Sequence, residues 1–278
     1  MFKSLIASLG QIVAKPQVLL AGIIATIFQT IILYFSLEPL GSVFEKAILL
    51  GELPNVGLME LPFQFYKMYF AELNVILLAF LASMVLQLWL GVVIARFASN
   101  LHSKKAGIME AVGFGIKSLG KIIGAIIFLL AIAGIFFALF QIIAWLSEFS
   151  NEASLILLFL LGLLIAYLYV KLVFFIPLMG CKEANVRDAL AEAWEFSKKK
   201  FWRILILLVI VSIIAAVIDF IGSSIAGFTI EDIIASIIIS LFAVIGSTYS
   251  ALVLANYYLN HEHEHPKMFY EGRHRRRK

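Results

Sequence analysis

The stretch "DALAEAWEFSKKKFWRILILLVIV", from Asp188 to Val211, decides the fold. Its first half places Ala189, Leu190, Ala193, Trp194 and Ser197 at spacings of three and four, with Val186 just upstream. That is one face of a 3.6-residue helix. Arg187, Asp188, Glu192, Glu195 and Lys199 fall on the other face. The second half is apolar all round, which suits a helix surrounded by lipid. Three lysines and Arg203 stand at the seam. The stretch therefore reads as an amphipathic helix lying at a membrane surface, joined directly to a helix that crosses the membrane.

Working outward, a spanning helix needs about 20 mainly apolar residues, because each rises about 1.5 Å through about 30 Å of hydrocarbon. Six segments qualify: 17–37, 74–98, 122–146, 153–179, 203–226 and 233–259. None alternates like a barrel strand, and β-branched runs such as "IIASIIISL" sit in helix-length segments. Composition agrees: 62% of the 278 residues are hydrophobic and 14% charged, against about 25% charged in an ordinary soluble domain. The expected fold is all-α, a polytopic integral membrane protein with six transmembrane helices. Pro16 opens the first span and Pro177 ends or kinks the fourth.

Of the 22 basic residues, all but Lys46 and Lys67 fall on one side if the N-terminus is inside. This bias predicts a multi-pass protein of the plasma membrane with both termini cytoplasmic. The N-terminal stretch has no compact apolar core followed by a small-residue cleavage site, so it is expected to stay on the mature protein.

The opening stretch has two counterparts, "FKSLIASLGQIVAKPQVLLAGII" from Phe2 and "GIMEAVGFGIKSLGKIIGAIIFLL" from Gly107. Their apolar stripes are Phe2, Leu5, Ile6, Leu9, Ile12 and Val13, and Ile108, Ala111, Val112, Ile116 and Leu119. Lys3, Ser4 and Gln11 oppose the first stripe; Glu110, Lys117 and Ser118 oppose the second. The chain thus reads as one transmembrane domain, 1–260, of three units at about 1–100, 101–181 and 182–260, followed by a basic cytoplasmic tail, 261–278. Each unit is an interfacial amphipathic helix plus two spans.

The segment "FFIPLMGCKEANVRDALAEAWEFSKKKFWRIL", Phe174 to Leu205, resembles six-span prokaryotic membrane proteins related to the membrane domain of some glycerophosphodiester phosphodiesterases. In that family a span ends in aromatics and a proline. An Ala/Leu-rich amphipathic helix with a Trp or Ser then leads through basic residues into the next span. The resemblance implies a six-span membrane architecture. The soluble catalytic module has no counterpart in these residues, so the resemblance does not bring its activity.

Candidate polar membrane contacts are few. Asp219 is the one acidic group within a span. It reads either as a proton, cation or substrate contact, or as a headgroup-level residue bonded to Ser223. Gln29, Gln87, Gln141 and Asn256 occur one each in four spans and suit interhelical hydrogen bonds more than a relay. Lys171 is expected to snorkel to the inner headgroups. Trp194, Lys198, Lys199, Lys200, Trp202 and Arg203 read as inner-interface anchors. The aromatic run 62–73 reads as an interfacial helix or an extension of the second span.

"HEHEH" at 261–265 reads as a solvated tail rather than a metal site, and "RHRRRK" as a topology anchor touching anionic lipid rather than nucleic acid. The lone Cys181 allows no intrachain disulfide. No phosphate loop, H-E-x-x-H or G-x-S-x-G is present, and the spans hold no histidine, which excludes an intramembrane Ser/His site. No catalytic, metal or cofactor residue is nominated. The expectation is a non-enzymatic membrane protein that interacts with the anionic inner leaflet, organises the membrane or anchors a membrane-protein partner. The alternative is a small permease with a polar midplane site, although three units in one orientation differ from the inverted repeats common in transporters.

Overall fold

A computed structural model describes residues 1–50, 70–103, 107–147, 150–228 and 232–261. Ten helices appear among them: α1 (Phe2–Ala14), α2 (Val18–Leu50), α3 (Phe70–His102), α4 (Ile108–Lys117), α5 (Leu119–Ser147), α6 (Asn151–Leu172), α7 (Phe175–Lys182), α8 (Val186–Lys198), α9 (Phe201–Ala226) and α10 (Asp232–His261). No strand occurs among the described residues. The fold is all-helical, as the sequence predicts.

Six segments are long and apolar enough to cross a membrane: Val18–Val43, Phe70–His102, Leu119–Leu146, Glu152–Lys182, Phe201–Ala226 and Ile234–His261. Each coincides with an expected span. At most 33% of the residues in any of their most apolar windows are buried by protein. Side chains such as Phe159, Phe220 and Tyr34 stand well exposed. In water so much apolar surface would drive aggregation; in hydrocarbon it is solvated. The chain is an integral membrane protein.

The fourth span breaks at Val173–Phe174, four residues before Pro177. A proline ring clashes with the carbonyl four residues earlier, here that of Val173, and lacks an N–H to bond it. The helix resumes as α7, where the Leu178 N–H bonds the Phe174 carbonyl at 2.9 Å. The kink expected from Pro177 thus lies upstream of the proline itself.

Three short helices each run into a span. α1 precedes α2, α4 precedes α5 after the single residue Ser118, and α8 precedes α9. The chain divides into two compact units, Met1–Gly22 with Trp89–Lys278, and Ile23–Leu88. In the first unit the core lies at the ends of the spans nearest the short helices. It holds Val92–Ala95 and Phe97 of α3, Ile122 and Ala125 of α5, and Leu178 and Met179 of α7. Ile204 and Leu207 of α9 and Leu252, Val253, Tyr257 and Tyr258 of α10 complete it. The opposite half of α9 is mainly exposed, and it pairs with α10 in an antiparallel hairpin. In the second unit Gln87 donates to Gln29 at 2.6 Å, joining α2 and α3.

Close approach requires glycine at Gly180. A Cβ there would lie 2.5 Å from the Val92 carbonyl and 2.6 Å from the Ala95 Cβ. α7 therefore rests directly on the backbone of α3, a small-residue contact typical of helices packed in membranes.

Candidate functional site

Polar and aromatic groups gather where the short helices meet the spans. α8 is fastened there by its buried residues Ala189, Ala193, Phe196 and Ser197. The Phe196 ring meets Phe174 edge-on at 4.8 Å and Tyr258 at 5.2 Å. Such pairs add about 0.5–1.5 kcal/mol each beyond the area they bury. The Ser197 hydroxyl donates to the Lys171 carbonyl at 2.9 Å, near the end of α6, where helical carbonyls lack partners. Glu192, on the polar side of α8, pairs with Lys182 and accepts a bond from the Tyr258 hydroxyl at 2.7 Å. Both faces of α8 thus touch protein. The sequence stripe correctly contains Ala189, Ala193 and Ser197 but misses Phe196, whose aromatic partners come from distant segments.

An ionic hub links the next elements. Arg96 of α3 bridges Glu183 at 2.8 Å and Glu110 of α4 at 3.5 Å, and its guanidinium lies 4.7 Å from the Phe114 ring centroid. Lys121 of α5 donates to the Glu183 carbonyl at 2.8 Å. Glu183 adopts the left-handed conformation, φ 57°, that ends α7. By this one residue the α7–α8 turn is fixed to both α3 and α5. Composition reads Arg96 and Lys121 as markers of topology. Their pairing needed the three-dimensional fold.

α1 differs most from expectation. Its polar side faces protein: Ser4 and Ser8 are buried with Leu5, whereas Phe2, Ile6, Leu9 and Val13 are exposed. Asn256 of α10 donates to Ser8 and to Gln11, each at 2.9 Å, and Gln11 donates back at 3.4 Å. Asn260 donates to Ser4 at 3.1 Å. The physical reason is the solvent. Hydrocarbon accepts the apolar stripe at no cost, while the hydroxyls and amides need partners that only another helix supplies. Asn256 is thus an interhelical hydrogen-bonding residue.

The other nominated residues do not converge. Asp219 is exposed on α9, with one carboxylate oxygen 3.5 Å from where a Cβ on Gly246 would stand. Among the described residues no hydrogen bond joins it to Ser223; the bonded hydroxyl nearby is that of Ser224, to the Phe220 carbonyl. Gly246 and Asn256 are ten positions, about 15 Å, apart along α10, so Asp219 and Asn256 do not share a site. Gln29 and Gln87 bond each other, and Gln141 is exposed on α5. At the seam, Trp202, Lys198, Lys199 and Arg203 are exposed. Lys200 is buried, its ammonium 4.7 Å from the Phe196 ring centroid. Trp194 is 41% exposed and packs edge-on to Tyr167. Lys171, expected to reach the headgroups, is buried beneath these two rings.

No group of three His, Cys, Asp or Glu among the described residues could hold a metal ion. Of "HEHEH" only His261 is described; its Nδ1 lies 2.8 Å from the Tyr257 carbonyl. The tail 262–278, with "RHRRRK", lies outside the described residues, as do Phe63, Tyr66, Lys46, Lys67, Lys104 and Lys105 as side chains.

Residues 144–262 match the family model for the membrane domain of glycerophosphoryl diester phosphodiesterase. The match takes in α6 to α10 and with them the whole segment from Phe174 to Leu205. Over these residues, fewer than half of the chain, the protein is similar to that membrane domain. No curated protein and no solved structure matches the chain.

Proposed function

We propose that this is a non-enzymatic plasma-membrane protein that engages anionic lipid of the inner leaflet through three interfacial helices, α1, α4 and α8, with both termini cytoplasmic. By that contact it organises the leaflet or anchors a partner membrane protein. The observation that carries the reading is α1. It is bonded to α10 by its polar side and turns Phe2, Ile6, Leu9 and Val13 outward. Such a face is suited to the acyl boundary of a leaflet. The recurrence of short helix then span at α1–α2, α4–α5 and α8–α9 supports a threefold unit. Basic residues next to these helices attract anionic headgroups at about 1 kcal/mol each. A permease with a polar midplane site has weaker support, because Asp219 and Asn256 are separated and Gln29 and Gln87 are bonded to each other.

The full chain in nanodiscs of varied phosphatidylglycerol content tests the reading. Enrichment of the anionic lipid in the shell around the protein, measured by mass spectrometry after extraction, is expected. Lipid retained in the same ratio as the bulk bilayer would contradict it.

A further inference from the structure

We propose that Lys171 holds the phosphate of an anionic phospholipid at the junction of α6, α8 and α9. This deepens the lipid-binding reading above and rests on it. Lys171 stands in the last turn of α6 and is 4% exposed. Its ammonium lies 5.4 Å from the Tyr167 ring centroid and 5.3 Å from that of Trp194. Ring faces and a helix C-terminus both attract a cation. Ring faces offer no lone pair to an ammonium N–H, and among the described residues no helix carbonyl is bonded to this one. Among the described residues the Lys171 ammonium has no hydrogen-bond acceptor and no carboxylate within ion-pair distance. The residue is buried but its ammonium is not sealed from the surface, so an acceptor from outside the chain can reach it.

The surroundings define its chemistry. On α8, Lys198 lies one turn beyond Trp194 on the same face, with Lys199 beside it; Glu195 is the nearby acid. On α9, Phe201 packs on Tyr167 at 5.6 Å, followed by the exposed Trp202 and Arg203. Cations outnumber the single carboxylate, so an anion complements the site. The partly exposed rings of Tyr167, Trp194 and Trp202 suit the glycerol and upper acyl region of a lipid. A phosphate carrying acyl chains satisfies both halves of this environment, whereas free phosphate satisfies one.

The test uses the purified full chain and native mass spectrometry with phosphatidylglycerol, phosphatidylcholine or inorganic phosphate as separate probes. Wild type is expected to bind phosphatidylglycerol about tenfold more tightly than phosphatidylcholine. Millimolar inorganic phosphate should not displace it. Lys171→Met should weaken phosphatidylglycerol about tenfold with helicity unchanged, while Lys171→Arg stays within about threefold of wild type. If Lys171→Met binds as wild type does, this site is wrong while the broader lipid reading stands. If wild type itself shows no preference for phosphatidylglycerol, both fall. Displacement by inorganic phosphate would overturn the lipid as the source of the anion. Should Lys171→Met fail to fold, the exposed Lys198→Gln takes its place, with an expected loss of about threefold; unchanged affinity there overturns the proposal.

Discussion

Replacing Asn256 with leucine probes how α1 is held. The substitution removes three hydrogen bonds, from Asn256 to Ser8 and Gln11 at 2.9 Å each and from Gln11 at 3.4 Å. Interhelical hydrogen bonds measured in a membrane protein average about 0.6 kcal/mol, so the three together contribute about 2 kcal/mol. Asn260 still bonds Ser4, and Leu5 stays buried, so α1 should loosen without leaving α10. At about 1.4 kcal/mol per tenfold change, 2 kcal/mol corresponds to about 30-fold more frequent opening. Hydrogen exchange of the full chain in nanodiscs reads this directly, since amide protection reports local opening free energy. Peptides covering residues 2–14 should exchange about 30-fold faster, while peptides from α5 are unchanged. Protection of α1 that matches wild type would refute the idea that these bonds hold it. Equal loss of protection throughout the chain would show a general defect instead.

Gly180→Ala should lower the melting temperature in detergent, because the new Cβ meets the backbone of α3 at Val92; overpacking of this kind costs about 1–3 kcal/mol. Gly10→Ala, in α1, has nothing within 4 Å of the added methyl and should be neutral or stabilising by up to about 1 kcal/mol. If the two glycines respond alike, the α7–α3 contact is misplaced. Phe196→Ala should cost about 3–5 kcal/mol in unfolding free energy, since it empties the space between Phe174 and Tyr258. A loss under 1 kcal/mol would mean that α8 is held mainly by Glu192 and its partners.

The spans were legible because length and hydropathy are sufficient to define a membrane helix: 203–226 became Phe201–Ala226 almost unchanged. The short helices were legible for a different reason, their spacings of three and four. Periodicity shows that two faces differ, but not which solvent takes each. For α1 it identified the stripe of Phe2, Leu5, Ile6, Leu9, Ile12 and Val13, yet Leu5 is buried with Ser4 and Ser8 on the side that faces α10, where Asn256 and Asn260 meet Ser4, Ser8 and Gln11. Long-range pairings were illegible for the same reason. Arg96 with Glu183, and Phe196 with Phe174 and Tyr258, join segments far apart in the chain. Lys171 shows the limit most clearly. Its depth near the end of α6 was readable, but its burial depends on Trp194 of another helix.

The central claim is that α1 is bonded to protein by its polar side and offers its apolar side to the leaflet. Single cysteines placed at Ile6 and Val13 in a Cys181→Ser background, carrying a fluorophore, test it in liposomes. Nitroxide-labelled lipid should quench both labels strongly, and an aqueous quencher should do so weakly. Strong aqueous quenching at Ile6 and Val13, with little from the lipid, would contradict the account.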